Sequence, residues 1–136
     1  YNLLIGERTA EELKIMLGSA SVEKAQGSMQ VRGRDMVTGL PRVVEVPAKE
    51  IAVAMSEIIH QILDAVKDVL EQTPPEISAD VIDHGIVLTG GGAMLRHLAE
   101  MISKETQVPA FVANDPLDCV ALGTGAILAN PSLMKK

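Results

Sequence analysis

Three consecutive glycines, Gly90, Gly91 and Gly92, follow the run "GIVLT" and precede a stretch with helical spacing; we call them the glycine turn. Glycine loses more backbone freedom on folding than any other residue, so three in a row are costly unless something must approach the main chain. At a strand-to-helix turn, free N–H groups and the positive end of the helix dipole favour an anion. We therefore expect this turn to hold a phosphate or a flat ligand, although a tight turn without a ligand is the alternative.

The glycine turn differs from the two best-known phosphate-binding loops. A P-loop requires a Lys-Ser or Lys-Thr pair after its glycines, and none follows here. The third glycine of a dinucleotide-binding motif would fall at Leu95. What the turn does offer is main chain without Cβ atoms, which a flat ligand can approach directly.

A second candidate group lies on a short predicted helix, residues 10–17, and consists of Glu11, Lys14 and Ile15. An apolar isoleucine beside two charges needs an explanation, and a bound nucleoside would supply one. Glu11 would accept hydrogen bonds from sugar hydroxyls, Lys14 would hold the sugar or a phosphate, and Ile15 would cover the base. In the alternative interpretation, Glu11 only favours the helix dipole and Lys14 is solvated.

The composition argues against several classes of protein. The 136 residues carry a formal net charge of −6, and Tyr1 and Phe111 are the only stacking aromatics, so we expect no nucleic-acid partner. No apolar run approaches the roughly 18 residues that span a bilayer. The single cysteine, Cys119, agrees with a reducing compartment. We expect a cytoplasmic protein without a metal cluster, in which Cys119 is a small buried hydrophobic residue.

The helix that carries Glu11 has its own start and stop signals. Thr9 and Glu12 form a potential capping box, and Gly18 can end the helix in a left-handed turn. The residues expected to form its buried stripe are Leu13, Met16 and Leu17.

A hairpin and a long helix are predicted next. Residues 26–47 alternate on either side of Thr38 and Gly39, which predicts a β-hairpin. From 49 to 72, apolar residues recur at the spacing of an amphipathic helix, at positions 51, 55, 58, 59, 62, 66, 69 and 70. The hairpin is locally basic, which is typical of a solvated strand face, through Arg32, Arg34 and Arg42.

The remaining residues predict an alternating series. A short helix at 76–84 precedes the strand "GIVLTG", a helix at 93–105, the strand "VPAFVA" and a final helix from about 116 to 129. This β-α-β-α order is typical of a parallel sheet with crossover helices, and so of an α/β fold. We expect the first of these strands, which does not alternate, to be covered on both faces.

The final helix has a predicted cap and a stripe of small residues. Asp115 is expected to cap it, with Pro116 in the first turn. The stripe would permit a close helix crossing, with packing on the helix's own sheet as the alternative, and consists of Ala121, Gly125 and Ala129.

Four long segments match a known family in order and spacing: "YNLLIGERTAEELKI", "RGRDMVTGLPR", "LEQTPPEISADVIDHGIVLTGGGAMLR" and "VPAFVANDPLDCVALGTGAIL". Over essentially its whole length, the chain resembles the C-terminal part of the MreB/Mbl family of bacterial actin-like cell-shape proteins. It also starts without a methionine inside an apolar stretch, and we expect it to be part of a longer protein.

The resemblance implies part of the second lobe of an actin-like ATPase, a ribonuclease H-like α/β fold. A smaller subdomain, the helix and β-hairpin at about 9–47, would be inserted before a larger one at about 48–136. ATP or ADP would lie in the cleft between two lobes, with the glycine turn as the adenosine motif and the final helix at the hinge. The residues implied to contact the nucleotide are Gly90, Gly91, Gly92, Glu11, Lys14 and Ile15.

The same resemblance implies what this chain lacks. In the superfamily, two Asp-x-Gly hairpins hold the phosphates and Mg²⁺, and a polar residue of the first lobe orients the attacking water. The only Asp-x-Gly here begins at Asp83 and ends a helix, so we assign no catalytic and no metal-binding residue. Because hydrolysis needs a water placed in line and charge stabilisation at the γ-phosphate, we expect no ATPase activity from this chain alone.

The implied function is that of a cytoskeletal ATPase that forms filaments at the cytoplasmic membrane and maintains rod shape by organising cell-wall synthesis. The implied partners are further protofilament subunits, contacted in part through the smaller subdomain with its basic hairpin, a membrane-anchored morphogenesis protein such as RodZ, and the membrane, reached through the other lobe. Two alternatives stay open: the second lobe of a sugar-kinase-like ATPase, and an interaction module in which the glycines form only a turn.

Overall fold

A computed structural model describes residues 1–130 and residue 132. These residues divide into two compact units. The first comprises Tyr1–Glu71 together with Leu95–Leu98, and the second comprises Gln72–Met94 and the described residues from Ala99 onward. The subdomain boundary implied by the resemblance, at about residue 48, stays a prediction.

The first unit contains a three-stranded antiparallel sheet in the order β1-β2-β3. The strands are β1 (Leu3–Leu4), β2 (Ser28–Asp35) and β3 (Pro41–Pro47). Val31 of β2 lies opposite Val44 of β3, which confirms the predicted hairpin, whereas the two-residue β1 was not predicted. Alternation along β2 buries Val31 and leaves Arg32 and Arg34 exposed.

Gly33 lies where β2 meets β1. A Cβ on Gly33 would lie 2.5 Å from the carbonyl oxygen of Leu4 and 2.8 Å from Cγ of Leu3. Both distances are far inside van der Waals contact. The two strands can therefore approach this closely only because position 33 has no side chain.

Two helices, α1 (Glu7–Leu17) and α2 (Ala48–Glu71), share one apolar core with the sheet. Small residues of α2 let its backbone come close to that core, so the buried line of α2 differs from the predicted stripe: Ile58 and Val69 are exposed. The core residues are Leu13, Leu17, Ala25, Val31, Val46, Ala48 and Ala52.

The start of α1 differs from the prediction. The helix begins at Glu7, and its N-cap residue, Gly6, makes no side-chain hydrogen bond, so the capping box predicted at Thr9 and Glu12 is wrong. Glu12 instead pairs with Arg8, one turn earlier, at 3.2 Å. Because the helix already starts before Thr9, that hydroxyl has no helix end to cap.

The end of α1 is at Gly18, as predicted, but not in a left-handed turn. Gly18 is extended, with φ −57° and ψ 138°. Glycine is required there because a Cβ would collide with the carbonyl oxygen of Lys14. Met16, predicted to be buried, is 62% exposed, because the core-facing line of the helix runs through Leu13 and Leu17.

The second unit contains a two-stranded parallel sheet. Its strands pair with Ile86 opposite Ala110 and are joined by a crossover helix, which confirms the predicted parallel α/β arrangement. Its elements in chain order are α3 (Pro75–His84), β4 (Ile86–Leu88), a 3₁₀ turn (Gly91–Met94), α4 (Leu98–Thr106), β5 (Ala110–Val112) and α5 (Cys119–Ala129).

Two predictions for the residues on either side of the glycine turn are wrong. The helix predicted from residue 93 begins at Leu98, because His97 has a positive φ of 65° that an α-helix cannot contain. The residues between the glycine turn and His97 form a 3₁₀ turn and a short connection instead. Val87 is 53% exposed, so β4 is not covered on both faces.

The last helix starts later than predicted and is exposed. Asp115 has a φ of 49° and lies outside α5, whose N-cap residue, Asp118, makes no side-chain hydrogen bond, so the predicted cap is wrong. Residues 120–130 are all exposed, with Val120 at 76% and Leu128 at 82%. The small-residue stripe therefore does not pack on the helix's own sheet, and its close helix crossing stays a prediction.

Candidate functional site

The glycine turn joins β4 to the 3₁₀ turn. Gly90 has a positive φ of 82°, which favours glycine, and its N–H donates to the carbonyl oxygen of Pro116 at 2.7 Å. Gly91 and Gly92 open the 3₁₀ turn, which Ala93 anchors by its burial. Because one short turn follows the glycines, an anion would meet the N–H groups of that turn and not the summed dipole of a long helix.

The space in front of Gly91 and Gly92 is open. A Cβ on Gly92 would have no heavy atom within 4 Å, and one on Gly91 would touch Cδ2 of Leu117 at an ordinary 3.5 Å. Both residues are exposed, and neither has a positive φ. Neither packing nor conformation within the described residues requires glycine at these two positions. Close approach of another molecule to the main chain would require it.

The polar group predicted on α1 lies together on one exposed face. Nζ of Lys14 is 2.7 Å from Oε2 of Glu11, and the two side chains are 51% and 57% exposed. Ile15, beside them, is 66% exposed. An exposed ion pair of this kind contributes at most about 1 kcal/mol to stability, so either side chain can turn to a ligand at little cost.

The six predicted contact residues thus fall into two groups. Glu11, Lys14 and Ile15 lie on α1 of the first unit, whereas the glycine turn lies in the second unit. Each group is internally compact and open to solvent. That both groups serve one ligand stays a prediction.

Arg96 is a residue with structural consequences that sequence reasoning missed. Its Nε donates to the carbonyl oxygen of Gly18 at 3.0 Å, and its Nη2 donates to that of Met16 at 2.8 Å. Its own carbonyl oxygen accepts the N–H of Ala20 at 2.8 Å. No local pattern could reveal these contacts, because the partners of the guanidinium lie 78 and 80 residues away along the chain.

His97, next to Arg96, is tied to the same region. Its Nδ1 lies 2.9 Å from Oγ of Ser19, a side chain that is 1% exposed. The Ser19 hydroxyl donates its proton to the carbonyl oxygen of Ser21 at 2.8 Å, so His97 is the donor to Ser19. A buried serine whose proton is already engaged is held in place and is not a nucleophile poised beside a base.

The tip of the β2–β3 hairpin is a fixed turn with apolar side chains. Oδ1 of Asp35 accepts the N–H groups of Thr38, at 2.9 Å, and Val37, at 2.8 Å, and Oδ2 accepts Nη1 of Arg42 at 2.9 Å. These backbone N–H groups, followed by Arg42, lower the pKa of Asp35 from 3.8 to about 2. The exposed apolar residues, which we call the hairpin tip, are Met36, Val37 and Leu40.

Other chemistry-bearing side chains have local explanations. Asp83 is exposed at the end of α3, and Cys119, predicted to be buried, is half-buried with Sγ 3.6 Å from the carbonyl oxygen of Asp115. His60 and His84 each bond a carbonyl oxygen one turn earlier on their own helices. Within residues 1–130, the structure shows no cluster of acidic, histidine and cysteine side chains that could hold a metal ion. In the same range, every helix is too short or too polar to cross a bilayer.

Comparison with known proteins gives a consistent set of relatives. The family model described as MreB/Mbl protein matches residues 1–136. The cell shape-determining protein Mbl of Bacillus subtilis (strain 168) is 48% identical over 136 residues, which are 100% of this chain and 41% of that protein. The cell shape-determining protein MreB of Escherichia coli (strain K12) is 45% identical over 128 residues, 94% of this chain and 37% of that protein. The chain therefore spans less than half the length of these relatives.

A solved structure extends the similarity to three dimensions. MreB5 of Spiroplasma citri bound to ADP matches with a TM-score of 0.90 and 36% identity, over 99% of this chain and 40% of that chain. The same protein bound to AMPPNP gives a TM-score of 0.89. The α/β fold of the chain is therefore actin-like. Because the family model covers every residue and the relatives agree with it, the chain belongs to the MreB/Mbl family.

Proposed function

We propose that this chain is part of a bacterial actin-like ATPase that binds ATP and ADP, forms membrane-associated filaments and maintains rod shape by organising cell-wall synthesis. Relatives at 48% and 45% identity are named cell shape-determining proteins, which supports the cytoskeletal role. The related MreB5 was crystallised with ADP and with AMPPNP, which supports nucleotide binding. The observation that carries the nucleotide proposal is the open main chain at Gly91 and Gly92.

In the proposed site, the main chain of the glycine turn lies against the adenosine. Without Cβ atoms, its peptide planes can come into contact with a flat ring system. Glu11 accepts hydrogen bonds from the ribose hydroxyls, Lys14 holds the sugar or a phosphate, and Ile15 covers the base. The exposure of all three side chains fits this assignment, because none is fixed by packing and the Glu11–Lys14 ion pair on the surface opens at little cost.

The chemistry at the phosphates is proposed to depend on residues outside this chain. ATP supplies a phosphoanhydride bond, and its hydrolysis needs a positioned water and charge stabilisation. In residues 1–130, no acidic cluster suits Mg²⁺, and Asp83 is exposed at a helix end. The residues present fit the nucleoside end of the ligand and do not fit the metal, so we propose that this chain binds and orients the nucleoside without cleaving ATP.

Titration calorimetry of the full-length gene product with ADP tests this proposal. The Glu11→Gln change keeps the size of the side chain and removes the charge that strengthens its hydrogen bonds to ribose, so we expect the Kd for ADP to rise about tenfold. Glu12→Gln is the matched control, because Glu12 lies on another face of α1 and pairs with Arg8. We expect less than a twofold change for it.

Two results would count against the proposal at different levels. If the Glu11→Gln variant binds ADP as tightly as the parent, Glu11 does not contact the nucleotide. If the parent shows no binding heat at millimolar ADP, the proposal of nucleotide binding is wrong and an interaction module is favoured instead.

Self-association into filaments is proposed to use the hairpin tip. The turn is held by Asp35, so its apolar residues are presented without a further loss of conformational freedom. Exposed Arg32 and Arg34 make this region basic in a chain of net charge −6, which is complementary to acidic surface on a second copy. Contacts with the membrane and with a partner such as RodZ belong to the same proposal and are assigned to no residue.

A pelleting assay with ATP measures this self-association. Val37 is 80% exposed, so Val37→Asp should leave the fold intact and raise the concentration needed for assembly at least fivefold, because a charge replaces apolar contact. Val53→Asp, at a 57% exposed position on α2, is the control and should assemble like the parent. If Val37→Asp and Val53→Asp pellet alike, the hairpin tip is not the contact.

A further inference from the structure

We propose that Arg96 is a positioning residue for nucleotide binding. Its guanidinium fixes the end of α1, the helix that presents Glu11, Lys14 and Ile15, and Arg96 itself lies four positions after the glycine turn in the sequence. The inference rests on the proposed nucleotide function. It adds a residue that acts through others and touches no nucleotide itself.

Arg96 closes the C-terminal end of α1. The last carbonyl groups of a helix have no partners within the helix, and the negative end of its dipole favours a cation. Arg96 meets both needs with two bonds, from Nη2 to Met16 at 2.8 Å and from Nε to Gly18 at 3.0 Å. Because both donors belong to one rigid planar group, they fix the direction of the helix end as well as its position.

The main chain around Arg96 is attached at the same place. The N–H of Ala20 donates to the Arg96 carbonyl oxygen at 2.8 Å, and Ser19 forms a parallel bridge with Arg96. His97 adds its hydrogen bond to the buried Ser19 hydroxyl at 2.9 Å. The segment Leu95–Leu98 thus holds the end of α1 through both side chains and main chain, within the first unit.

The glycine turn is close to this attachment along the chain. Three residues separate Gly92 from Arg96, so few rotatable bonds lie between the turn and the guanidinium. On the other side, Arg96 holds the carbonyl group of Met16, which follows Lys14 and Ile15 directly. Arg96 is hydrogen-bonded to the end of the helix that carries one group of proposed contacts, and it lies four positions after the other group in the sequence. In the proposal, it raises affinity by holding α1 in place before the nucleotide arrives.

Calorimetry with ADP on the full-length gene product tests the role of Arg96. We expect Arg96→Met to raise the Kd about tenfold. We expect Arg96→Lys to have a smaller effect, because an ammonium group keeps the charge but cannot donate to both carbonyl groups in the same fork geometry. Arg8→Met is the control, since Arg8 is 93% exposed on the same helix and forms a surface pair with Glu12. A folded Arg96→Met variant with the parent's affinity would overturn the proposal.

A double-mutant cycle separates positioning from a loss of fold. Glu11→Gln and Gly92→Ala are combined in the parent and again in the Arg96→Met background. In the parent, we expect the effects of the two substitutions on the free energy of ADP binding to be non-additive. In the Arg96→Met background we expect them to be additive, because α1, which carries Glu11, is no longer held in place for the ligand that also contacts Gly92. A merely structural Arg96 would lower the affinity and leave this coupling unchanged, and that result would overturn the proposal.

Amide hydrogen exchange of the parent gives a test without any variant. On addition of ADP, we expect exchange to slow both at the glycine turn and at the Ala20 N–H, which donates to Arg96. Slowing at the glycine turn alone would overturn the positioning role while leaving nucleotide binding intact. A parent that binds no ADP would overturn both proposals together.

Discussion

Two groups of glycines in this chain lack a side chain for opposite reasons. At Gly18 and Gly33, main-chain carbonyl groups fill the space that a Cβ would need. At Gly91 and Gly92, that space is empty or has one ordinary contact. The first group is explained by the packing of the chain itself, and the second group is not. The difference shows that glycine can be required at a position either by the packing of the fold or by a ligand that approaches the main chain.

The largest effect is expected at a crowded glycine. Gly18→Ala should lower the free energy of unfolding by about 3 kcal/mol, because the new Cβ must displace the end of α1 and the Arg96 contacts on it. Urea unfolding followed by circular dichroism measures the change. Gly92→Ala is the matched control and should unfold at nearly the parent's urea concentration. If Gly18→Ala also unfolds at the parent's urea concentration, a Cβ at position 18 does not destabilise the fold and the predicted collision is wrong.

The next effect is on binding and not on stability. Gly92→Ala should change the free energy of unfolding by less than about 0.5 kcal/mol, because its Cβ would project into open space. It should weaken ADP binding at least tenfold, which is about 1.4 kcal/mol, by keeping the ligand away from the main chain. Gly123→Ala, another glycine with open space but on α5, should leave the affinity unchanged. If Gly92→Ala binds ADP as tightly as the parent, approach of a ligand does not explain the glycine at position 92.

The smallest effect is expected in the hairpin turn, where backbone conformation and not crowding requires glycine: Gly39 has a φ of 74° there. The carboxylate of Asp35 holds this turn through hydrogen bonds from its backbone N–H groups. Because the pKa of Asp35 is lowered from 3.8 to about 2, the contribution of this carboxylate to stability is complete above pH 4 and is lost as the pH falls towards 2.

Replacement of Asp35 tests the direction of this pH dependence of stability. Asp35→Asn should reduce the urea midpoint at pH 7, and the difference from the parent should become smaller at pH 3 and vanish as the pH approaches 2. Urea titrations at pH 7, 5 and 3 measure the trend. A difference that stays constant or grows toward pH 3 would show that the ionised carboxylate does not hold the turn.

The parts of the fold that could be predicted are those with a strong period or a strong turn signal. Alternation around Val31 predicted the hairpin, and 3–4 spacing predicted α2, because burial on one side repeats at the period of the element. The start of α4 could not be predicted, because nothing in the sequence distinguishes a histidine with positive φ, His97, from a helical one. Periodicity also misplaced Met16, since it cannot say which of several apolar positions faces the core.

The site shows the same division. The glycine run was visible as a pattern, and its open surroundings required coordinates. Glu11, Lys14 and Ile15 form an unusual combination of charged and apolar residues on one helix face, which predicts a bound nucleoside, and the resemblance implies the same role for them. Arg96 had no local signal, because its function depends on carbonyl groups of a helix almost eighty residues earlier.

The exposure of α5 has a practical consequence. Val120, Leu122 and Leu128 expose aliphatic surface to the solvent, which promotes non-specific aggregation and adsorption to vessel walls. We therefore expect residues 1–136, prepared by themselves, to aggregate during storage. Because the attraction between such surfaces weakens on cooling, samples should last longer near 4 °C than at room temperature.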